Sequence, residues 1–172
     1  LLAAVGMFAL PFVSSAQGNS PGSVYTLSNA PDTNRVLAFS RTSKGDLSPA
    51  GAYATGGQGT GAGLGSQGAL ALTDDGRWLR AVNAGSNELS AFAVRNDALV
   101  LTDIVSSGGQ RPISVTVAHN LVYVLNAGGA GNISGFFLSA AGQLHPLPNS
   151  TRALSGANVD PAQISFGLRG DV

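Results

Sequence analysis

Three times along this chain an alternating apolar strand closes on an asparagine, passes through a short loop and is answered by a second strand. The first strands are Val24-Tyr25-Thr26-Leu27-Ser28-Asn29, Trp78-Leu79-Arg80-Ala81-Val82-Asn83 and Leu121-Val122-Tyr123-Val124-Leu125-Asn126. The answering strands open at Asn34-Arg35-Val36, Asn87-Glu88-Leu89 and Asn132-Ile133-Ser134. A turn and a third strand follow each time, through Gly45-Asp46-Leu47, Asp97-Ala98-Leu99 and Gly142-Gln143-Leu144. A short apolar strand precedes the second and third copies, Leu70-Ala71-Leu72 and Val115-Thr116-Val117, and Ile164-Ser165-Phe166 repeats that beginning for a fourth.

The apolar period is two wherever it is regular, and no stretch holds a helical period of 3.6, so the class is all-β. The 24 glycines scattered between the runs supply the turns that many short strands require. Units of four strands recurring every ~43 to 54 residues are the spacing of β-propeller blades. In a blade the short apolar strand lies innermost, which makes Leu70, Leu72, Val115, Val117, Ile164 and Phe166 expected core positions. Closing a propeller takes about four to eight blades. Residues 23–172 hold about three blades and the start of a fourth, so the expectation is part of a larger propeller.

Nine basic residues balance nine acidic ones, and such a chain has no long-range positive field to gather nucleic acid or an anionic membrane. Cysteine is absent and there are two isolated histidines, which argues against a metal or sulfur-based centre. Leu1 to Val13 form an apolar run, shorter than the roughly 20 residues of a spanning helix, followed by Ser14-Ser15-Ala16-Gln17. Residues 1–16 therefore read as a signal peptide, 17–22 as a linker, and the protein as secreted or periplasmic. The competing reading of the apolar run is a buried first strand.

Two segments carry a family resemblance. Asp74-Asp75-Gly76-Arg77-Trp78-Leu79-Arg80-Ala81-Val82-Asn83-Ala84-Gly85-Ser86-Asn87 resembles the turn, strand and loop signature of the lactonase family of propellers, and Ser107-Gly108-Gly109-Gln110-Arg111-Pro112-Ile113-Ser114-Val115 resembles the segment that leads into its blades. The family includes the bacterial 6-phosphogluconolactonase type and the fungal 3-carboxymuconate cyclase type. The resemblance implies a seven-bladed, monomeric fold and a small lactone or organic acid as the partner. It departs from the family before Leu70, where Gly65-Ser66-Gln67-Gly68 lacks the histidine that relatives often show.

The strand order gathers two sets of loops at one end: those between second and third strands, and those leading into the innermost strands. The glycine-rich stretch from Thr55 to Gln67 belongs there, and glycine allows backbone to approach a ligand. Arg111 stands at the head of an inner strand and can offer paired hydrogen bonds to a substrate carboxylate; the alternative is a solvated surface arginine. Gln67 and Gln163 hold comparable positions and can orient a carbonyl, or bond neighbouring backbone. His119 falls in a turn at the other end and His145 in an outer strand. Asp46, Asp74, Asp75 and Asp97 fall in turns, and Asn29, Asn83 and Asn126 recur at strand ends as turn residues.

Gly63-Leu64-Gly65-Ser66-Gln67-Gly68 matches a dinucleotide fingerprint in letters alone, because no helix follows it. Ser66 lacks the preceding glycine of a nucleophile elbow. Asn132-Ile133-Ser134 and Asn149-Ser150-Thr151 are glycosylation acceptors in a eukaryotic secretory pathway. Two functions fit these residues: an exported lactonase or lactonising cyclase working without cofactor or metal, or a propeller serving as a binding platform for a protein or wall polymer. Fold alone does not choose between them.

Overall fold

The computed structural model describes residues 22–96, 98–156 and 159–167. The expected signal segment, most of the linker and Asp97 lie outside them. Every regular element among the described residues is a strand. One sheet joins β1 (Gly22–Leu27), β2 (Arg35–Arg41) and β3 (Leu47–Ala54). The next joins β4 (Leu70–Leu72), β5 (Trp78–Asn83), β6 (Glu88–Arg95) and β7 (Ala98–Ser106). The last joins β8 (Pro112–Ala118), β9 (Leu121–Asn126), β10 (Asn132–Leu138) and β11 (Leu144–Pro146), with β12 (Arg152–Ala153) also on β10. Chain order is sheet order and all pairs are antiparallel, the arrangement of propeller blades.

The registers superimpose. Val24 faces Phe39, Leu79 faces Phe92 and Val122 faces Phe136. The first two blades also break register at the same place, between Ala38 and Phe39 and between Ala91 and Phe92. This alignment corrects one sequence expectation. Leu27 pairs with Val36, Val82 with Leu89 and Leu125 with Ile133, so Ser28, not Asn29, occupies the position of Asn83 and Asn126. Asn29 instead takes a left-handed conformation (φ 51°) and bonds the glycine-rich loop through Thr60 and Ala62.

Alternation puts half of each central strand against the blade before it and half against the blade after it. Val36, Leu79, Ala81 and Phe92 fill the space between the first two blades. Trp78, Val82, Val115, Val122, Val124 and Phe136 fill the space between the second and third. Burying each large apolar side chain contributes about 1.5–3 kcal/mol, and β5, with interblade packing on both faces, is buried at every residue, Arg80 and Asn83 included.

Two expectations about the inner strands are corrected. Leu72 is 43% exposed rather than core; it shares a face with Leu70 toward the first blade, which has no inner strand of its own among the described residues to cover it. Ile164-Ser165-Phe166 is extended but pairs with no strand. It lies against the third blade instead, with Ile164 N donating to Ser114 Oγ (3.2 Å) and the Phe166 ring edge-on to Tyr123 at 5.7 Å.

Candidate functional site

The loops expected to share one end do so, and a buried polar circuit holds them there. Asn34 Nδ2 donates to Asn83 Oδ1 (2.9 Å), Asn83 Nδ2 to Ser90 Oγ (2.7 Å), Ser90 Oγ to Thr55 O (2.8 Å) and Thr55 Oγ1 to Asn34 O (3.1 Å). All four residues are fully buried. The circuit crosses from the first blade to the second and returns. Between the second and third blades Asn126, at the position of Asn83, serves again, with Asn132 as its partner where the second blade uses Ser90: Asn126 Nδ2 donates to Ser107 O (3.2 Å) and Asn132 Oδ1 (2.7 Å), and Asn132 Nδ2 to Gly108 O (3.1 Å). Asn83 and Asn126 are therefore cross-blade connectors rather than turn residues.

Next to each connector asparagine runs a corner of the preceding blade, Thr55-Gly56-Gly57 or Ser107-Gly108-Gly109. The corners then bond the loop of the following blade, Gly85 N to Gln58 O (2.9 Å) and Gly128 N to Gln110 O (2.8 Å). The second corner leads directly to Arg111. Its backbone is left-handed (φ 51°) and its N–H donates to Asn87 Oδ1 at 2.7 Å. Its side chain is 47% exposed and its nearest counter-charge is the open Asp160, at 3.8 Å, a separation worth little in water.

Segment 160–164 draws the sequence candidates together. Asp160 meets Arg111, Ala162 O accepts from Gln67 N (3.1 Å), and Gln163 lies between Ala162 and the Ile164 contact to Ser114. The side chains of Gln67 and Gln163 are both exposed. Close by, Ser66 Oγ donates to Ile113 O (2.8 Å), so its hydroxyl ties the loop leading into β4 to β8. A cleft of about 480 Å³ opens beside the glycine-rich loop, between Tyr25, Leu27, Asn29, Leu64, Ser66 and Leu70. Arg111, Gln67 and Gln163 line neither this cleft, nor the one between Ser28, Pro31 and Gly61, nor the one between Thr73, Trp78 and His119.

A cleft of about 490 Å³ sits at the opposite end, between the second and third blades. Asp74, Asp75 and Arg77 line it from the turn between β4 and β5, Trp78 from β5, and His119 from the turn between β8 and β9. His119 adopts the left-handed conformation (φ 51°) of a turn residue. Asp75 Oδ1 accepts from Thr73 Oγ1 (2.6 Å) and Arg77 N (3.0 Å), and these bonds, Thr73 first, hold its carboxyl below the ordinary value. Asp46 caps its own turn through Thr42, and His145 is exposed on β11.

Residues 22–160 match the profile of the family described as lactonase, 7-bladed β-propeller. Among solved structures the chain is similar to a protein of Lactobacillus plantarum (21% identity, TM-score 0.59, 77% of this chain and 42% of that one). It is similar to a periplasmic gluconolactonase of Pseudomonas aeruginosa (24%, 0.57, 72% and 34%). It is also similar to a functionally unknown protein of Desulfotomaculum acetoxidans (18%, 0.56, 72% and 38%). The chain thus spans 34% to 42% of the lengths of these structures. No curated protein sequence matches it.

Proposed function

Since the chain belongs to the lactonase family of seven-bladed β-propellers, we propose that it acts as an exported, metal-independent lactonase or lactonising cyclase on a small carboxylated ring, with Arg111 anchoring the substrate carboxylate. The observation that carries this reading is the convergence of Arg111, Gln67 and Gln163 on segment 160–164. Arg111 has a fixed backbone and a half-exposed guanidinium with one weak partner, so a carboxylate can replace Asp160 with paired hydrogen bonds. Ring opening adds water to the lactone carbonyl and breaks the ring C–O bond to give a hydroxy acid. In that step Arg111 positions the ring, and the exposed glutamine amides can orient the carbonyl.

The second reading, a non-catalytic platform for a protein or wall polymer, is favoured by the clefts, which Arg111, Gln67 and Gln163 do not line. One assay separates the two. The full-length protein is followed on a panel of lactones including 6-phosphogluconolactone and carboxymuconolactone, beside Arg111→Ala. The expected result is turnover whose kcat/KM falls about tenfold in the variant with its fold intact, the loss of ~1.4 kcal/mol of substrate stabilisation. Absence of turnover on every member of the panel supports the platform.

Export has a readout of its own. Of the two glycosylation acceptors, Asn149 is exposed in the turn after Pro148, with φ 60°. Asn132 uses both ends of its amide in the cross-blade connection. Secreted from a eukaryotic cell, the protein is expected to carry glycan on Asn149 and none on Asn132. A mass shift on deglycosylation that Asn149→Gln abolishes bears this out; a shift that survives in Asn149→Gln overturns it.

A further inference from the structure

Arg80 stands in the middle of β5, fully buried. The shared register gives its position to Tyr25 in the first blade and Tyr123 in the third. The second blade thus places a charge where its neighbours place an aromatic ring. Room for it comes from Ala71 and Ala91, its partners on either side. None of its three guanidinium nitrogens has a hydrogen-bond acceptor among the described residues. Burial lowers its pKa to about 10, with Asp75 acting in the opposite direction. Asp75 forms no ion pair with it among the described residues; its Oδ1 accepts from Thr73 and the backbone of Arg77.

The direction of the side chain matters. β5 starts from the turn that carries Asp75, and the guanidinium carbon lies 5.9 Å from the Trp78 ring centroid, back toward that turn. Trp78 lines the cleft of about 490 Å³ at this end, with Val117 and Leu138 as further apolar wall. A cation held in a low-dielectric interior with no hydrogen-bond acceptor on its nitrogens costs several kcal/mol. Arg80 does not itself line the cleft, but it lies behind Trp78, which does, and an anion seated there would relieve it.

We propose that the cleft between the second and third blades binds a small organic monocarboxylate, its apolar body against Trp78, Val117 and Leu138 and its carboxylate on Arg80. The guanidinium nitrogens carry no exposed surface, so Trp78, packed on the guanidinium, is the wall residue that shifts to admit the ligand. Asp74 and Asp75 line the cleft beside Arg77 and His119; the two carboxylates repel a dianion more than a monoanion, which favours a single carboxylate over phosphate. The site lies at the opposite end from Arg111 and does not depend on the role proposed for that residue.

The test titrates the full-length protein at constant ionic strength with benzoate, with benzamide as uncharged isostere and inorganic phosphate as the competing anion, reading binding heat and thermal midpoint. Benzoate is expected to bind saturably and raise the midpoint. Benzamide should have no effect, and phosphate should bind at least about tenfold more weakly. Arg80→Met should remain folded, since an apolar replacement of a buried charge is tolerated or stabilising, and should lose the benzoate response completely. Arg111→Ala should keep it. Benzoate binding unchanged in Arg80→Met, binding lost in Arg111→Ala, phosphate binding as tight as benzoate, or no saturable binding to the wild type would each overturn the proposal.

Discussion

Replacing Asn83 by alanine is expected to destabilise the protein by about 3 kcal/mol, measured as the shift in urea midpoint at unchanged slope. The amide is fully buried and both its ends are in use. Its loss deprives Asn34 Nδ2 of one acceptor and Ser90 Oγ of its donor, and leaves a small void where no water-exposed group can compensate. Asn29→Ala is the contrast that tests the register. Asn29 bonds Thr60 and Ala62 at a partly exposed site in a left-handed conformation, so its loss should cost about 1–2 kcal/mol, less than at Asn83. Equal effects at Asn29 and Asn83 would contradict the alignment of the blades.

A second large effect is expected at Gly57. A Cβ there would stand 2.5 Å from Asn83 Cγ and Nδ2 and 2.7 Å from Ser86 Oγ. Gly109 meets Asn126 in the same way, at 2.6 Å. The constraint is space, so Gly57→Ala should cost about 2–3 kcal/mol as the corner is pushed off the connector. Gly63→Ala, in open surroundings on the same loop, should be neutral or stabilising by about 0.5 kcal/mol through the unfolded chain. Because Gly57 and Asn83 touch, the double variant Gly57→Ala with Asn83→Ala should lose less than the two single losses added together. Strict additivity would mean that corner and connector do not act as a unit.

The fold was legible because its information is repeated. Each blade states the same strand alternation and the same turn chemistry, and three statements of one pattern locate strands even where any one of them is ambiguous. Register was less legible. The run ending in Ser28-Asn29 offers two polar residues for the strand end, and the choice of Ser28 emerges only from the pairing of Leu27 with Val36. Core membership of Leu72 depended on a neighbouring inner strand, which no local pattern encodes.

The end of the fold at which Arg111, Gln67 and Gln163 lie was legible. Arg111, Gln67 and Gln163 fall at one end as loop position predicts, because topology alone assigns strand ends to one side or the other. The cleft at the far end was not, since its walls come from residues about 40 positions apart, Trp78 in one blade and Val117 and His119 in the next. Arg80 was hidden for a related reason. Alternation in a sheet with one wet face marks a charged residue as outward, but a blade is covered on both faces, and there the same letter is a buried charge. A basic residue in the central strand of a repeat, at a position where the other copies hold tyrosine, is the signal that would have found it.

The circuit of Asn34, Asn83, Ser90 and Thr55 bears on how such a chain can lengthen over evolutionary time. The second and third blades each bring a socket, Asn83 beside Ser90 and Asn126 beside Asn132, and the first and second blades each end in a corner of Ser or Thr and two glycines that fits the next socket. Both halves of the fastening travel within one stretch of about 50 residues. A tandem duplication of that stretch would join its neighbours on both sides without any compensating change elsewhere, so blade number can drift by copying whole units while each junction stays the same.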